Sequence, residues 1–234
     1  MIDRNRNVIL CGSTKSSNYP VVTGSYNVNF MGTQDAMITK LNSSGSSIIF
    51  STFVGGSEED GGIFMVFDRN DNIVVSCLVF SSDFPVTTGA FQSNKKGSWE
   101  GALVKLNSTG TSLISSTYFG GSVQDEIEEI AIDQYDNIYI IGATNNTSDF
   151  PLTSGAFQTY FAGGSDAYVA KMNPDFTNLI YSTLIGGAIA EGGQSIQVDA
   201  SGFAYAGINT SSDNYPTTPG TFQPNKFGSD VFAI

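Results

Sequence analysis

Short apolar runs bounded by Gly, Asn, Asp and Ser recur along the whole chain, and none carries the helical spacing of about 3.6 residues. Gly62-Ile63-Phe64-Met65-Val66-Phe67 is nearly continuous and predicts an inner strand buried on both faces. After the turn Asp68-Arg69-Asn70-Asp71 comes a second strand, Asn72 to Leu78, and then a loop of about twenty residues, Phe80 to Glu100. Ala102 to Leu106 and Leu113 to Phe119 predict two more strands, joined by the hairpin turn Asn107-Ser108-Thr109-Gly110.

This block of about 65 residues repeats with almost no insertions. Tyr19-Pro20, Phe84-Pro85, Phe150-Pro151 and Tyr215-Pro216 mark one position of it, and Asp3, Asp68, Asp133 and Asp199 another. Gly55-Gly56, Gly120-Gly121 and Gly186-Gly187 keep the same period, as do Lys40, Lys105 and Lys171. A fixed period of this length marks a repeat architecture in which each unit buries its apolar faces against its neighbours. Four antiparallel strands per unit predict an all-β fold, a β-propeller of four-stranded blades; a β-solenoid is the alternative. About 3.6 repeats divide into a partial blade 1–57, blades 58–122 and 123–188, and a partial blade 189–234. If the run before each periodic Asp is the innermost strand, the first partial blade lacks its inner strand and the last its outer one. The expectation is a fragment of a longer propeller, or a piece that self-associates or assembles with another chain, since open strand edges are association sites.

Several linked phrases resemble the bacterial beta-propeller repeat family, often described as seven-bladed. They are Gly-Gly-Ser-x-x-Asp, Asp-x-x-x-Asn-Ile-Tyr, Ser-Asp-Phe-Pro-x-Thr-x-Gly-Ala-Phe-Gln and Asp-Ala-x-x-x-Lys-x-Asn, and the stretch from Gly120 to Gly187 contains all four. Departures fall in particular copies: Glu100-Gly101 replaces Asp-Ala, Gly202-Phe203 replaces Asn-Ile, and Ala188 replaces Ser. The resemblance implies a secreted or surface-exposed bacterial protein, commonly a module in a longer chain, and transfers no catalytic residues.

A net charge of -12, from 22 acids and 10 bases, argues against nucleic acid and against an anionic membrane surface. No apolar run approaches the roughly 20 residues of a membrane-spanning helix, so membrane insertion is not expected, and the first residues do not form a secretory signal. The two cysteines, Cys11 and Cys77, lie one place apart in the aligned repeats and are expected as free, buried thiols. Triplets at Asn42, Asn107, Asn145, Asn146 and Asn209 permit glycosylation where a host supplies it.

With no histidine, a Ser-His-Asp triad, a Cys-His pair and a His-ligated metal are excluded. Catalytic residues are expected to be none; Glu58, Glu59, Glu126, Glu128 and Glu129 read as solvated acidic corners. Asp60, Asp125 and Glu191 share one position, five residues after the first Gly of each pair. Two readings are open for them: a ring holding a hard cation such as calcium through oxygen ligands, or caps that each accept backbone N–H bonds at their own corner. Asp68-x-Asn70-x-Asn72 reads as a strand-joining turn, since the later Gly and Glu of a calcium loop are missing. The periodic lysines are expected to pair with neighbouring carboxylates or to reach solvent.

Phe84, Phe91, Phe150, Phe157, Tyr215 and Phe222 are expected to form local cores that pin the long loops. Less regular loop residues, Trp99, Lys95 and Lys96 in one loop and Tyr160 and Phe161 in the next, are the candidate ligand contacts. The sequence thus predicts a non-catalytic module of a cell-surface or secreted protein, a rigid scaffold for protein or glycan interaction. The alternatives are a glycan-active enzyme domain or a structural spacer.

Overall fold

The computed structural model describes residues 1–145 and 149–226, with the backbone of Val231–Ala233. The Asn146 triplet lies outside the described residues. Strands and turns alone make up the described chain, and no helix is long and apolar enough to cross a membrane.

Four antiparallel sheets follow one another. The first joins β1 (Val8–Thr14), β2 (Asp35–Leu41) and β3 (Ile48–Val54). In the second, β4 (Asp60–Phe67), β5 (Ile73–Val79), β6 (Glu100–Leu106) and β7 (Leu113–Phe119) lie in chain order, and β8 (Asp125–Ile132), β9 (Ile138–Thr144), β10 (Asp166–Met172) and β11 (Leu179–Ile185) repeat that order in the third. The fourth joins β12 (Glu191–Val198), β13 (Ala204–Thr210) and β14 (Val231–Ala233). The leading strands lie side by side: β4 packs against β8 and β8 against β12, with β1 against β4.

Side chains alternate across each strand, so each sheet offers one face to the sheet before it and one to the sheet after it. Ile9, Ile38 and Phe50 meet Val75, Cys77 and Val104 in the first intersheet core. Val74 and Leu103 meet Ile140 and Tyr168 in the second, and Tyr139 and Val169 meet Ala206 and Ile208 in the third. Each fully buried Ile, Val or Leu stabilises such a core by about 1.5–3 kcal/mol.

The burial of the inner strand differs from expectation. β6 is buried at every position, whereas β4 has Ile63 exposed and Gly62 half-buried. The cause is a bulge: pairing of β4 with β5 shifts between Gly62 and Phe64, leaving Ile63 as the extra residue. The same shift occurs between Ile127 and Glu129 and between Gly193 and Ser195. The cysteines are free, as expected, but Cys11 is only half-buried while Cys77 is fully so.

The periodic Asp forms the expected turn. Asp68 Oδ1 accepts the backbone N–H groups of Asn70 and Asn72, each at 2.9 Å, and Oδ2 accepts the Asn72 amide at 2.8 Å. The periodic lysines pair with these turn acids: Lys40 with Asp3 at 2.8 Å, Lys105 with Asp68 at 3.8 Å and Lys171 with Asp133 at 3.0 Å.

The loop aromatics split into two classes where one was expected. Phe84, Phe150 and Tyr215 are buried, Phe150 edge-on to Phe119 of the preceding sheet at 5.7 Å between rings. Phe91 instead reaches the following sheet, its N–H donating to the Phe176 carbonyl at 2.8 Å, as Tyr26 N–H donates to Gly110 at 2.8 Å. Phe157 and Phe222 hold the same position, and both are exposed because no described hairpin lies beneath them.

Candidate functional site

Each Gly-Gly corner turns the chain into an inner strand whose first residue is an acid. Asp60 is fully buried; its Oδ2 accepts Gly56 N–H at 2.7 Å and the Ser81 hydroxyl at 2.7 Å, and its Oδ1 accepts the N–H groups of Phe80 and Ser81 at 3.2 and 3.3 Å. Asp125 accepts Gly121 N–H at 2.7 Å. Glu191 accepts Gly187 N–H at 2.7 Å and the Thr210 hydroxyl at 2.5 Å. These are the bonds of the capping reading, made by each acid at its own corner. Among the described residues no group of three or more Asp, Glu, Cys or His side chains is placed to hold a metal ion.

A second buried acid faces each cap from the preceding sheet, and sequence reasoning gave these residues no role. Asp35 stands by Asp60, Glu100 by Asp125 and Asp166 by Glu191, close enough for each pair to repel. Each is held by its own loop: Asp35 by the N–H groups of Met31 and Gly32, Glu100 by the Gln92 amide and Lys96 N–H, and Asp166 by the Gln158 amide and Ala162 N–H. The first glycine of the corner lies between the carboxyls, and a Cβ on Gly55 would stand 2.5 Å from Asp35 Oδ1. The available signal was a constant offset of 25 residues between the two acids, 35 to 60, 100 to 125 and 166 to 191.

Burial raises the carboxyls of Asp35, Asp60, Glu100, Asp125 and Asp166 above their ordinary values. Asp3 and Asp133 move oppositely: burial alone would raise them, but hydrogen bonds from a lysine and an asparagine outweigh it and bring both down to about 2. An acid whose folded value is raised favours the protonated fold; that stabilisation is complete below the unfolded value and lost as pH rises through the folded one. For Asp3 and Asp133 the contribution is present above the unfolded value of 3.8 and lost as pH falls toward about 2. Stability should therefore peak on the acid side of neutrality. In thermal unfolding scans the midpoint at pH 5 should exceed that at pH 8, and an equal or lower midpoint at pH 5 would contradict the buried-pair assignment.

The candidate ligand contacts occupy two places. In the first, Trp99 is half-buried against Phe80 at 6.3 Å between rings, and its carbonyl accepts Asp125 N–H at 3.4 Å. Lys95 folds back on the Gly97 and Ser98 carbonyls, and Lys96 reaches Asp149 at 3.9 Å. All three thus have partners within the protein. In the second, Tyr160 and Phe161 line an open cleft of about 370 Å³ together with Phe157 and Asn214. Both rings at 157 and 160 are exposed.

Beside the same corner, residues 186–191, a polar cavity of about 470 Å³ opens between the third and fourth sheets. Glu126, Asn145, Ser165, Glu191, Asn209 and Thr210 contribute to its wall. Glu126 is not the solvated corner acid expected from the sequence. It is half-buried, and burial, with Glu128 adding repulsion, raises its carboxyl. Its carboxylate has no hydrogen-bond partner among the described residues. Glu129 is also engaged, accepting Ile196 N–H at 2.9 Å. The equivalents of Glu126 in the neighbouring sheets are Gly61 and Gly192, so the fold itself does not require an acid there.

The model of a family described as "Beta-propeller repeat" matches residues 116–151, and no curated protein matches the chain. The matched stretch starts on β7, passes through the corner with its capping Asp125, and takes in β8, β9 and the Phe150-Pro151 anchor. This match, with sheets that recur at the same period on either side of it, supports a β-propeller repeat family.

Proposed function

We propose that this chain is a non-catalytic propeller-repeat module of a secreted or surface-displayed protein, and that it binds carbohydrate at the corner between its third and fourth sheets. The observation that carries the reading is Glu126, an acceptor without a hydrogen-bond partner among the described residues, in a cavity that the hydroxyls of Ser165 and Thr210 and the amides of Asn145 and Asn209 also line. A sugar supplies the vicinal O–H donors that such a carboxylate accepts, and charge-assisted bonds of this kind are roughly twice as strong as neutral ones. The rings of Phe157, Tyr160 and Phe161 across the corner offer apolar faces for sugar rings to stack on. Their loops sit on stiff sheets, which lowers the ordering cost of binding.

The enzyme alternative has one feature in its favour, since Glu126 and Glu191 line the same cavity. Glycoside hydrolysis needs two carboxyls free to act on the scissile bond. Glu191 is buried and tied to Gly187 and Thr210, which suits a structural acid better than a nucleophile.

Titration calorimetry against neutral and amino-sugar oligosaccharides tests the reading. A ligand that binds the wild-type chain should bind Glu126→Gln about tenfold more weakly, the loss of one charged hydrogen bond. Tyr160→Ala should weaken it by a similar factor, and no reducing ends should be released on prolonged incubation. Unchanged affinity in both variants would remove this corner as the site, and hydrolysis abolished by Glu126→Gln would favour the enzyme.

A further inference from the structure

We propose, resting on the carbohydrate reading above, that the cavity beside Glu126 takes amino sugars through a free ammonium group and prefers them to their N-acetylated and neutral counterparts. The cavity is open because three positions filled at the other junctions are small at this one. Between the first and second sheets they are Lys15, Gln34 and Glu59, and Lys15 reaches Glu59 at 3.1 Å. Between the second and third they are Phe80, Trp99 and Gln124, and the two rings lie 6.3 Å apart. Between the third and fourth they are Asn145, Ser165 and Ala190, and all three line the cavity. Strand pairing secures the equivalence, since Gln34 bridges Glu59 and Ser165 bridges Ala190 in the same parallel sense.

The wall of this cavity is rich in acceptors and short of donors. Ser165 gives its hydroxyl proton to the Glu191 carbonyl at 3.1 Å, and Thr210 gives its own to Glu191 Oε1 at 2.5 Å. Each hydroxyl has one proton, so toward a ligand both oxygens can only accept. Asn145 donates from its amide to Gln124 Oε1 at 3.3 Å. The Glu126 carboxylate is an acceptor outright. An ammonium brings three donors and no acceptor, which matches such a wall. An N-acetyl group would set its carbonyl against the same acceptors, and a hydroxyl carries no charge. Glu126 and Glu191 line the cavity, and no lysine or arginine does so among the described residues. Lys226 comes to the Ser211 carbonyl at 2.7 Å, but it is paired with Asp213 at 3.3 Å.

The first junction shows the same chemistry made within the chain. The position of Asn145 is there held by Lys15, whose ammonium meets the Glu59 carboxylate. At the third junction both members of that pair are gone, with Asn145 and Ala190 in their places, and an acid enters instead at Glu126. A ligand ammonium thus takes on the third junction the role that Lys15 has on the first. The Lys15 pair is largely exposed, whereas Glu126 is half-buried, so salt screens its charge less.

Titration calorimetry with three oligosaccharides of equal length reads the outcome: one of glucosamine, one of N-acetylglucosamine and one of glucose, at a pH that keeps the amine protonated. The wild-type chain should bind the glucosamine oligomer about tenfold or more tightly than the other two, the worth of one charged hydrogen bond. Glu126→Gln keeps the shape of the side chain, and in it that preference should vanish. Asn145→Phe combined with Ser165→Trp rebuilds the ring pair of the second junction, and this double variant should bind none of the three while circular dichroism shows it folded. Equal affinity for the N-acetylated oligomer, or a preference that survives in Glu126→Gln, would overturn the ammonium assignment and leave the carbohydrate reading standing. Binding of none of the three by the wild-type chain would overturn both. A simple diamine offers the ammonium without the sugar hydroxyls, and its binding as tightly as the glucosamine oligomer would overturn the assignment to a sugar.

Discussion

Replacing Asp60 by alanine should cost about 3–5 kcal/mol, the range expected when a buried acceptor of several hydrogen bonds is removed. Four donors converge on its carboxylate, from Gly56, Phe80 and both the N–H and hydroxyl of Ser81. Ser81 is fully buried, and its oxygen in turn accepts Glu58 N–H at 2.8 Å, so the loss passes along a connected corner. Backbone donors left without an acceptor in a dry site cost about 1–3 kcal/mol each, reduced where water enters the void. Asp60→Asn keeps the volume and one carbonyl oxygen but turns an NH2 group toward a donor, so roughly half the loss is expected. Urea denaturation of the three chains measures the series. A loss below about 1 kcal/mol for the alanine variant would mean that the corner is held by something other than its acid.

What the sequence revealed and what it hid divides along this corner. Strand positions were legible because the apolar runs are short, bounded by turn residues and repeated at one period; β5 and β7 fall where Asn72 to Leu78 and Leu113 to Phe119 predict them. The burial of β4 was not legible, since a bulge at Ile63 leaves no mark in an apolar run. The cap at Asp60 was readable as one of two options, because its donors lie four residues before it and about twenty after it. Its facing partner Asp35 comes from the previous sheet, and a contact between sheets shows in one sequence only as a repeated offset. Glu126 was misread for a simpler reason. Charge in a loop-rich chain usually means solvent, and only its place among the glycines at 61 and 192 sets it apart. The two classes of loop aromatic look alike in sequence and separate only when the following hairpin is in place.

One contact between sheets can be transplanted, which tests the repeat at the level of side-chain volume. Phe50 packs over Gly110, where an added Cβ would stand 2.3 Å from the ring. At the next junction the sizes are exchanged: Ser115 takes the position of Phe50, and Phe176 takes that of Gly110. Phe176 is fully buried with a φ of 59°, and Lys105, the cross-strand partner of Ser115, lies 5.3 Å above its ring. Large and small residues thus alternate across one shared space. Phe50→Ser alone should cost about 3–5 kcal/mol, the price of emptying a core aromatic site. Gly110→Phe alone should cost about 3 kcal/mol or more, from overpacking against Phe50 together with the left-handed backbone that a bulky side chain resists. The double variant should recover at least about 2 kcal/mol of the summed loss, since it recreates at the first junction the pair that the second already uses. Equilibrium denaturation of all four chains gives the coupling directly. Simple additivity would mean that the two residues do not share the space the structure assigns to them, and that the size exchange between junctions has no energetic basis.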